Sequence, residues 1–293
     1  GPAPLSISDG EGRGVRSPGA EVRRPDHTIE EGLTVEQVVF ESEPDLPIPG
    51  LVCIPPGPGP HPALLFLDDR GKDVEAGAAG LVPALARAGN LVLAVDLRGW
   101  GETAWRRRFP NDPDDVGWLG NDSMLAYAGY LLGGWPVAQR VRDAVRALDV
   151  LGDRSDVDPS RLGIVGRGTG GLIALHTAAL DRRVTGVAAC EALASYRSIV
   201  EADRYRCPVS AFIPGVLLRY DLPDLIGALA PLPTVVVNPV DATGAPLVAD
   251  AAEPVYLRAR RTYELLEAGD RLRLRAAASK DQVFEELISW AAF

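Results

Sequence analysis

Arg161-Leu-Gly-Ile-Val-Gly-Arg-Gly-Thr-Gly-Gly-Leu-Ile-Ala-Leu175 carries an apolar strand directly into an apolar helix through a turn made largely of glycine. Leu162–Val165 has the short, continuous apolar pattern of a strand buried on both faces, and Gly170–Leu180 continues at helical spacing. Between them lies Gly166-Arg167-Gly168-Thr169-Gly170, too short for any loop. A strand that feeds a helix this abruptly is part of a strand–helix–strand unit, and the next apolar run, Val184–Cys190, supplies the second strand.

The same alternation extends in both directions. Strand patterns precede the turn at Glu36–Ser42, Leu51–Ile54, Ala63–Leu67 and Leu91–Val95, and follow it at Thr234–Val237 and Leu272–Arg275. Helical spacing runs over Glu75–Ala88, with Gly89-Asn90 as a stop, and over Leu131–Leu151, Glu253–Glu267 and Gln282–Ala291. This order predicts an α/β fold, a mostly parallel central sheet of about eight strands with helices on both faces. Residues 1–30 are rich in Gly, Pro, Ser and charge and read as a flexible tail or linker, which leaves 31–293 as one domain. Glu191–Leu229 is long for a plain crossover and reads as a small cap insertion.

Bulk properties exclude more than they identify. Of 293 residues, 46% are hydrophobic, enough for a sizeable core. The formal net charge of -10 argues against nucleic acid and anionic membrane as partners. No stretch is long and apolar enough to span a bilayer, and no signal peptide is recognisable. Gly1-Pro2 reads as the scar of a cleaved tag on a mature form or an excised piece, so the sequence assigns no compartment. Cys53, Cys190 and Cys207 lack metal-ligand spacing, and the first two fall in strand patterns as small core residues. No cofactor or metal is expected.

The glycine turn has the shape of a nucleophile elbow, in which the central residue of G-x-S-x-G is pushed out so that its hydroxyl reaches substrate. Here that residue is Gly168, which keeps the bend and has no oxygen. With Asp96-Leu-Arg-Gly-Trp-Gly-Glu-Thr103 and the order of elements, the elbow makes the chain resemble the α/β-hydrolase fold over residues 30–293. More narrowly, it is similar to the acetyl-xylan-esterase-like hydrolase domains of large bacterial proteins. The resemblance implies ester hydrolysis by Ser, His and an acid, the acid preceding the histidine. Asp241, in Asn238-Pro-Val-Asp241, takes the acid position. The stretch expected to hold the histidine, Ala276-Ala-Ala-Ser-Lys-Asp281, has none, and His27, His61 and His176 all lie elsewhere. Where relatives aim backbone N–H groups at a developing oxyanion, this chain reads Asp68-Asp69-Arg70-Gly71. The expectation is a catalytically silent, structural or ligand-binding relative of the carbohydrate esterases, partnered by an active hydrolase domain of the full-length protein.

Other readings stay open at this stage. An active ester hydrolase could use Asp241 or Glu191 as general base, provided burial or like-charge crowding raises its pKa. Gly166-x-Gly168-x-x-Gly171, with Glu191 twenty residues further on, has the form of a dinucleotide-binding fingerprint. Asp68, Asp69, Glu191 and Asp241 could converge on a hard cation, but Arg70, Arg98 and Arg167 occupy the same edge and are expected to pair with them instead. Cys190 has no nearby histidine to make it a nucleophile. Trp100, Trp105, Trp118 and Trp135 would either stack on sugar rings or pack a lid. The expected binding residues for a small carbohydrate or ester are therefore Asp68, Asp69, Arg70, Arg167, Thr169, Trp100 and Trp105.

Overall fold

Strands that are apolar throughout need cover on both faces, and the chain supplies it with helices from two sides. The computed structural model describes residues 28–30, 32–104 and 120–292. Among these, nine strands form one sheet: β1 (Thr28–Glu30), β2 (Leu33–Glu43), β3 (Leu46–Ile54), β4 (His61–Asp68), β5 (Leu91–Val95), β6 (Val157–Arg167), β7 (Val184–Cys190), β8 (Thr234–Val237) and β9 (Leu272–Arg275). Their spatial order is β1-β2-β3-β5-β4-β6-β7-β8-β9. The first four in that order pair antiparallel, and all pairings from β5 onward are parallel. The fold class expected from the alternation of elements is therefore the one observed. The tail expected at 1–30 lies outside the described residues as far as residue 27, and β1 falls at its end.

The helices are α1 (Leu81–Arg87), α2 (Gly120–Leu132), α3 (Pro136–Gly152), α4 (Thr169–Leu180), α5 (Tyr196–Glu201), α6 (Leu222–Ala228), α7 (Ala249–Leu265) and α8 (Lys280–Ala291). Side chains alternate across each strand. Leu65, Leu93, Ile164 and Val187 face one way and pack with Leu148 of α3, Leu172 of α4 and Tyr256 of α7. Leu64, Phe66, Val165 and Val235 face the other way, toward Leu85 of α1 and Leu287 of α8. Two expected helices are interrupted. The pattern over Glu75–Ala88 becomes a short turn at Lys72–Glu75 followed by α1, because Gly77 and Gly80 close a tight turn between them. The pattern over Leu131–Leu151 breaks at Gly133-Gly134 into α2 and α3, Pro136 starting the second helix where its missing N–H costs nothing.

The segment after β5 is held by charge. Asp96, fully buried, accepts hydrogen bonds from the Lys72 N–H (2.7 Å), the Glu102 N–H (2.9 Å) and Lys72 Nζ (3.2 Å). Gly101 sits at φ 50 against that carboxylate, leaving no space for a Cβ. Arg98 reaches Asp143 of α3 and Glu43 at the end of β2. Arg140 of α3, fully buried, donates to the Arg98 carbonyl (3.0 Å), Ser210 Oγ (3.0 Å) and Asp122 (2.8 Å), so one guanidinium ties the post-β5 loop to α2 and to the cap segment between β7 and β8. Its carbon lies 4.5 Å from the ring centroid of Trp100, a cation–π stack. Removing one partner of a buried, hydrogen-bonded charge is costly. Arg140→Ala is therefore expected to lose about 3 kcal/mol, read as a fall in the urea midpoint, whereas an unchanged midpoint would show that the clamp does not hold the cap.

Candidate functional site

The glycine turn places its central residue where the elbow shape demands. Gly168 precedes α4 at φ 59, ψ -128, a conformation that side-chain-bearing residues rarely adopt. A Cβ at Gly168 would stand 2.5 Å from Asp69 Oδ2 and 2.9 Å from its Cγ. Asp69, on the loop after β4, thus fills the space into which a side chain at Gly168 would project. The same oxygen accepts the Thr169 backbone N–H at 2.7 Å. In a working elbow, that amide, of the residue just after the nucleophile, is one of the oxyanion donors. Burial raises the Asp69 carboxyl above its ordinary range and the neighbouring Asp68 adds to this, while the hydrogen bonds from Thr169 pull the other way.

Beside this plug runs a chain of ion pairs. Asp68, fully buried at the end of β4, accepts the Arg70 N–H and Nε, both at 2.9 Å, and Arg70 Nη2 at 2.6 Å. These bonds lift the Arg70 guanidinium above its already high range. Arg167 holds Glu191 with two parallel bonds, Nε–Oε2 2.7 Å and Nη2–Oε1 3.0 Å, and reaches Glu75 at 2.9 Å. Glu75, buried, is shared by Arg167, Lys280 and, at 3.7 Å, Arg70. The expected pairing of arginines with carboxylates holds for Arg70 with Asp68 and Arg167 with Glu191, whereas Arg98 turns to Asp143 and Glu43, and Asp69 and Asp241 accept from backbone and hydroxyl donors instead. Among the described residues no group of three or more His, Cys, Asp or Glu side chains is arranged to hold a metal ion.

Asp69, Gly168, Thr169, Glu191 and Asp241 come together around one cavity of about 160 Å³, whereas Asp68, Arg70, Arg167 and Trp100 are not in its lining. Asp241 does not suit the role of a general base. Its Oδ1 accepts Thr243 Oγ1 (2.7 Å), the Thr243 N–H (2.8 Å) and the Ala245 N–H (3.0 Å), and these bonds hold its carboxyl below the ordinary range. The raised pKa that the active-carboxylate reading required is therefore absent at Asp241, and Glu191 is committed to Arg167. The dinucleotide reading also fails on charge. The α4 N-terminus, where a pyrophosphate would sit, faces the Asp69 carboxylate, and the expected ribose acid, Glu191, is paired with Arg167.

The aromatic expectation is corrected too. Trp100 is buried beneath Arg140 and presents no face to a sugar. Trp135 packs against Tyr130, and Trp105 and Trp118 lie outside the described residues. Burial pushes the Cys190 thiol up to about 12, the behaviour of a structural thiol. His176 bonds the Leu172 carbonyl (2.8 Å) and the Tyr220 hydroxyl (2.9 Å), and burial lowers its pKa, as befits a packed core histidine. His61 starts β4, and His27 is outside the described residues. In the loop after β9, Asn238 clamps Ala277 with a reciprocal pair of bonds, 3.1 and 2.7 Å.

Sequence reasoning missed Arg206 and Cys207, which the cap segment brings to the cavity wall. The Arg206 N–H donates to the Ala242 carbonyl, fastening the cap to the Asp241 loop, and burial pushes the Cys207 thiol up to about 12. The length of Glu191–Leu229 was the available signal, and it gave the segment without the residues.

A parallel-stranded sheet with an elbow at its centre, an acid after the following strands and a cap between β7 and β8 defines a protein of the α/β-hydrolase fold. The chain belongs to the acetyl xylan esterase family, whose model (AXE1) matches residues 18–209. YtaP of Bacillus subtilis (strain 168), a protein named as a hydrolase, is 27% identical over 188 residues, covering 60% of this chain and 58% of YtaP. The chain thus spans well under two thirds of that relative's length. Among solved structures, the glucuronoyl esterase from Solibacter usitatus superposes with a TM-score of 0.63 at 17% identity, over 94% of this chain and 86% of its own. The acetyl xylan esterase from Paenibacillus sp. R4 gives 0.61 at 21% identity, over 92% and 88%. At these identities the structural matches speak for the fold alone.

If Asp69 occupies the place of an elbow side chain, the two positions must be energetically coupled. Gly168→Ser is expected to cost about 2 kcal/mol of unfolding free energy, and in an Asp69→Gly background that cost should shrink by about 1 kcal/mol or more. Equal costs in both backgrounds, from a four-protein urea series, would place the carboxylate elsewhere.

Proposed function

We propose that this chain is a catalytically silent member of the acetyl xylan esterase family, serving as a structural or ligand-binding partner of an active hydrolase module. The single observation that carries the reading is the Asp69 carboxylate on the Thr169 amide. Acyl transfer at an elbow needs an attacking oxygen, a base to take its proton and donors for the developing oxyanion. Gly168 supplies no side-chain oxygen, and no imidazole stands among the described residues around the cavity. Enzymes stripped of triad members retain roughly 10³–10⁴-fold catalysis over water through binding and an intact oxyanion hole. Here one hole donor is engaged by a carboxylate, whose charge opposes the charge that develops on the ester oxygen. Even that residue of activity is therefore expected to be lost.

In this reading residues 31–293 act as one domain and 1–30 as its tail or linker. The degenerate elbow, silent rather than damaged, retains the family's cavity for a small carbohydrate or ester without turning it over. The competing reading, an active hydrolase working through Asp241 or Glu191, is weakened by the depressed pKa of Asp241 and the pairing of Glu191.

The test is hydrolysis of p-nitrophenyl acetate by the purified protein, beside a Gly168→Trp control. The expected outcome is a rate equal to that of the control. Turnover well above it, lost in Asp241→Asn or Glu191→Gln with folding intact, would replace silence by a carboxylate mechanism.

A further inference from the structure

The ion-pair chain at the carboxyl edge of the sheet borders a second hollow, separate in its lining from the elbow cavity except for Glu191. It lies on the α1 and α8 side and holds about 270 Å³. Its floor is Phe66 and Val165 of the central strands, and its walls are Leu81 of α1 with Val283 and Leu287 of α8. The remaining wall is the loop after β9, where Ala277 and Ala278 stand. Short side chains on that loop leave the space unfilled, whereas the floor and helix residues belong to the well-packed core beneath. A dry apolar cavity of roughly 150 Å³ is enough to take benzene, so this volume admits an aromatic ring and a few further atoms.

The opening is polar and unevenly charged. Arg167 and Lys280 line it, against Glu191 alone. Lys280 is more than half exposed, with its Nζ 5.0 Å from the Phe284 ring centroid, and its carboxylate partner is Glu75 at 3.2 Å. Glu75 is buried behind the opening, outside the lining, and already divided among three cations. Arg167 already spends its Nε, Nη1 and Nη2 on Glu191 and Glu75, so the cation that an incoming head group meets is Lys280. A ligand that matches both parts has a compact apolar body and one negative end.

We propose that this hollow binds a small monocarboxylate with an aromatic or short aliphatic body, its carboxylate at Lys280 and its apolar part against the half-buried Ala277 and Phe284, over the buried floor. The site is independent of the elbow, and the proposal holds whether or not the elbow is silent.

Isothermal titration calorimetry with phenylacetate tests it, with 2-phenylethanol and phenethylamine as neutral and cationic analogues. Saturable binding of phenylacetate is expected, with each analogue weaker by about tenfold or more. Lys280→Gln should weaken phenylacetate severalfold. Ala277→Phe, which fills the hollow, should abolish binding while the circular dichroism spectrum and melting temperature stay close to those of the parent, and Val283→Phe serves the same purpose if that variant does not fold. The proposal is overturned by absence of saturation at about 10 mM phenylacetate, an affinity limit below −3 kcal/mol in magnitude. Equal affinity for all three compounds, or unchanged binding in the folded filled variant, would overturn it as well.

Discussion

One carboxylate, Asp69, meets one backbone amide, that of Thr169, and the character of the site follows from that contact. The bond is possible because position 168 is glycine: any Cβ there would collide with the carboxylate. Glycine and aspartate are thus two halves of one arrangement. The bend at φ 59 presents no side-chain oxygen, and the volume beside it and the Thr169 donor are both taken by Asp69. A buried carboxyl with a raised pKa and a hydrogen bond to its charged form is a compromise between desolvation and an aligned N–H.

Asp69 can be held there because the rest of the edge is neutralised. Asp68 is answered by Arg70, Glu191 by Arg167, and Glu75 by Arg167 and Lys280. Buried ion pairs add little net stability against an apolar alternative, but losing one partner is expensive. The cluster therefore fixes where each carboxylate points more than it strengthens the fold. The same logic operates at the other end of the site, where Arg140 joins α3, the Trp100 ring and the cap. The chain has the fold of its family, with a largely neutralised edge around an elbow whose central residue carries no side chain.

The sheet was legible because its strands are short apolar runs with sharp ends: Leu91–Val95, Val184–Cys190, Thr234–Val237 and Leu272–Arg275 fall where the pattern puts them. Helix boundaries were less so, since Gly77-Gly80 and Gly133-Gly134 break helices whose periodicity runs on across them. At the site, the glycine at 168 and the pairing of Arg70 and Arg167 with acids could be read from residue types at strand ends, whereas Arg98 pairs with Asp143 and Glu43 instead. Which of two adjacent acids reaches the elbow could not: Asp68 and Asp69 differ only in the direction each leaves the strand, one toward Arg70, the other toward Thr169. Nor could the capping of Asp241 by Thr243 and Ala245, which turns an expected base into a turn-former. Trp100 misled for a similar reason, because its partner Arg140 lies forty residues away.

The contact itself is open to direct observation in solution. The Thr169 amide resonance, followed by ¹H–¹⁵N NMR through a pH titration, reports the charge on whatever accepts its proton. With Asp69 as acceptor, the amide proton lies downfield at neutral pH and moves upfield on acidification with a midpoint above the ordinary aspartate range, since burial favours the protonated form. In Asp69→Asn that titration disappears. A Thr169 resonance indifferent to pH in the parent protein, or one that titrates unchanged in the variant, would contradict the account at its centre.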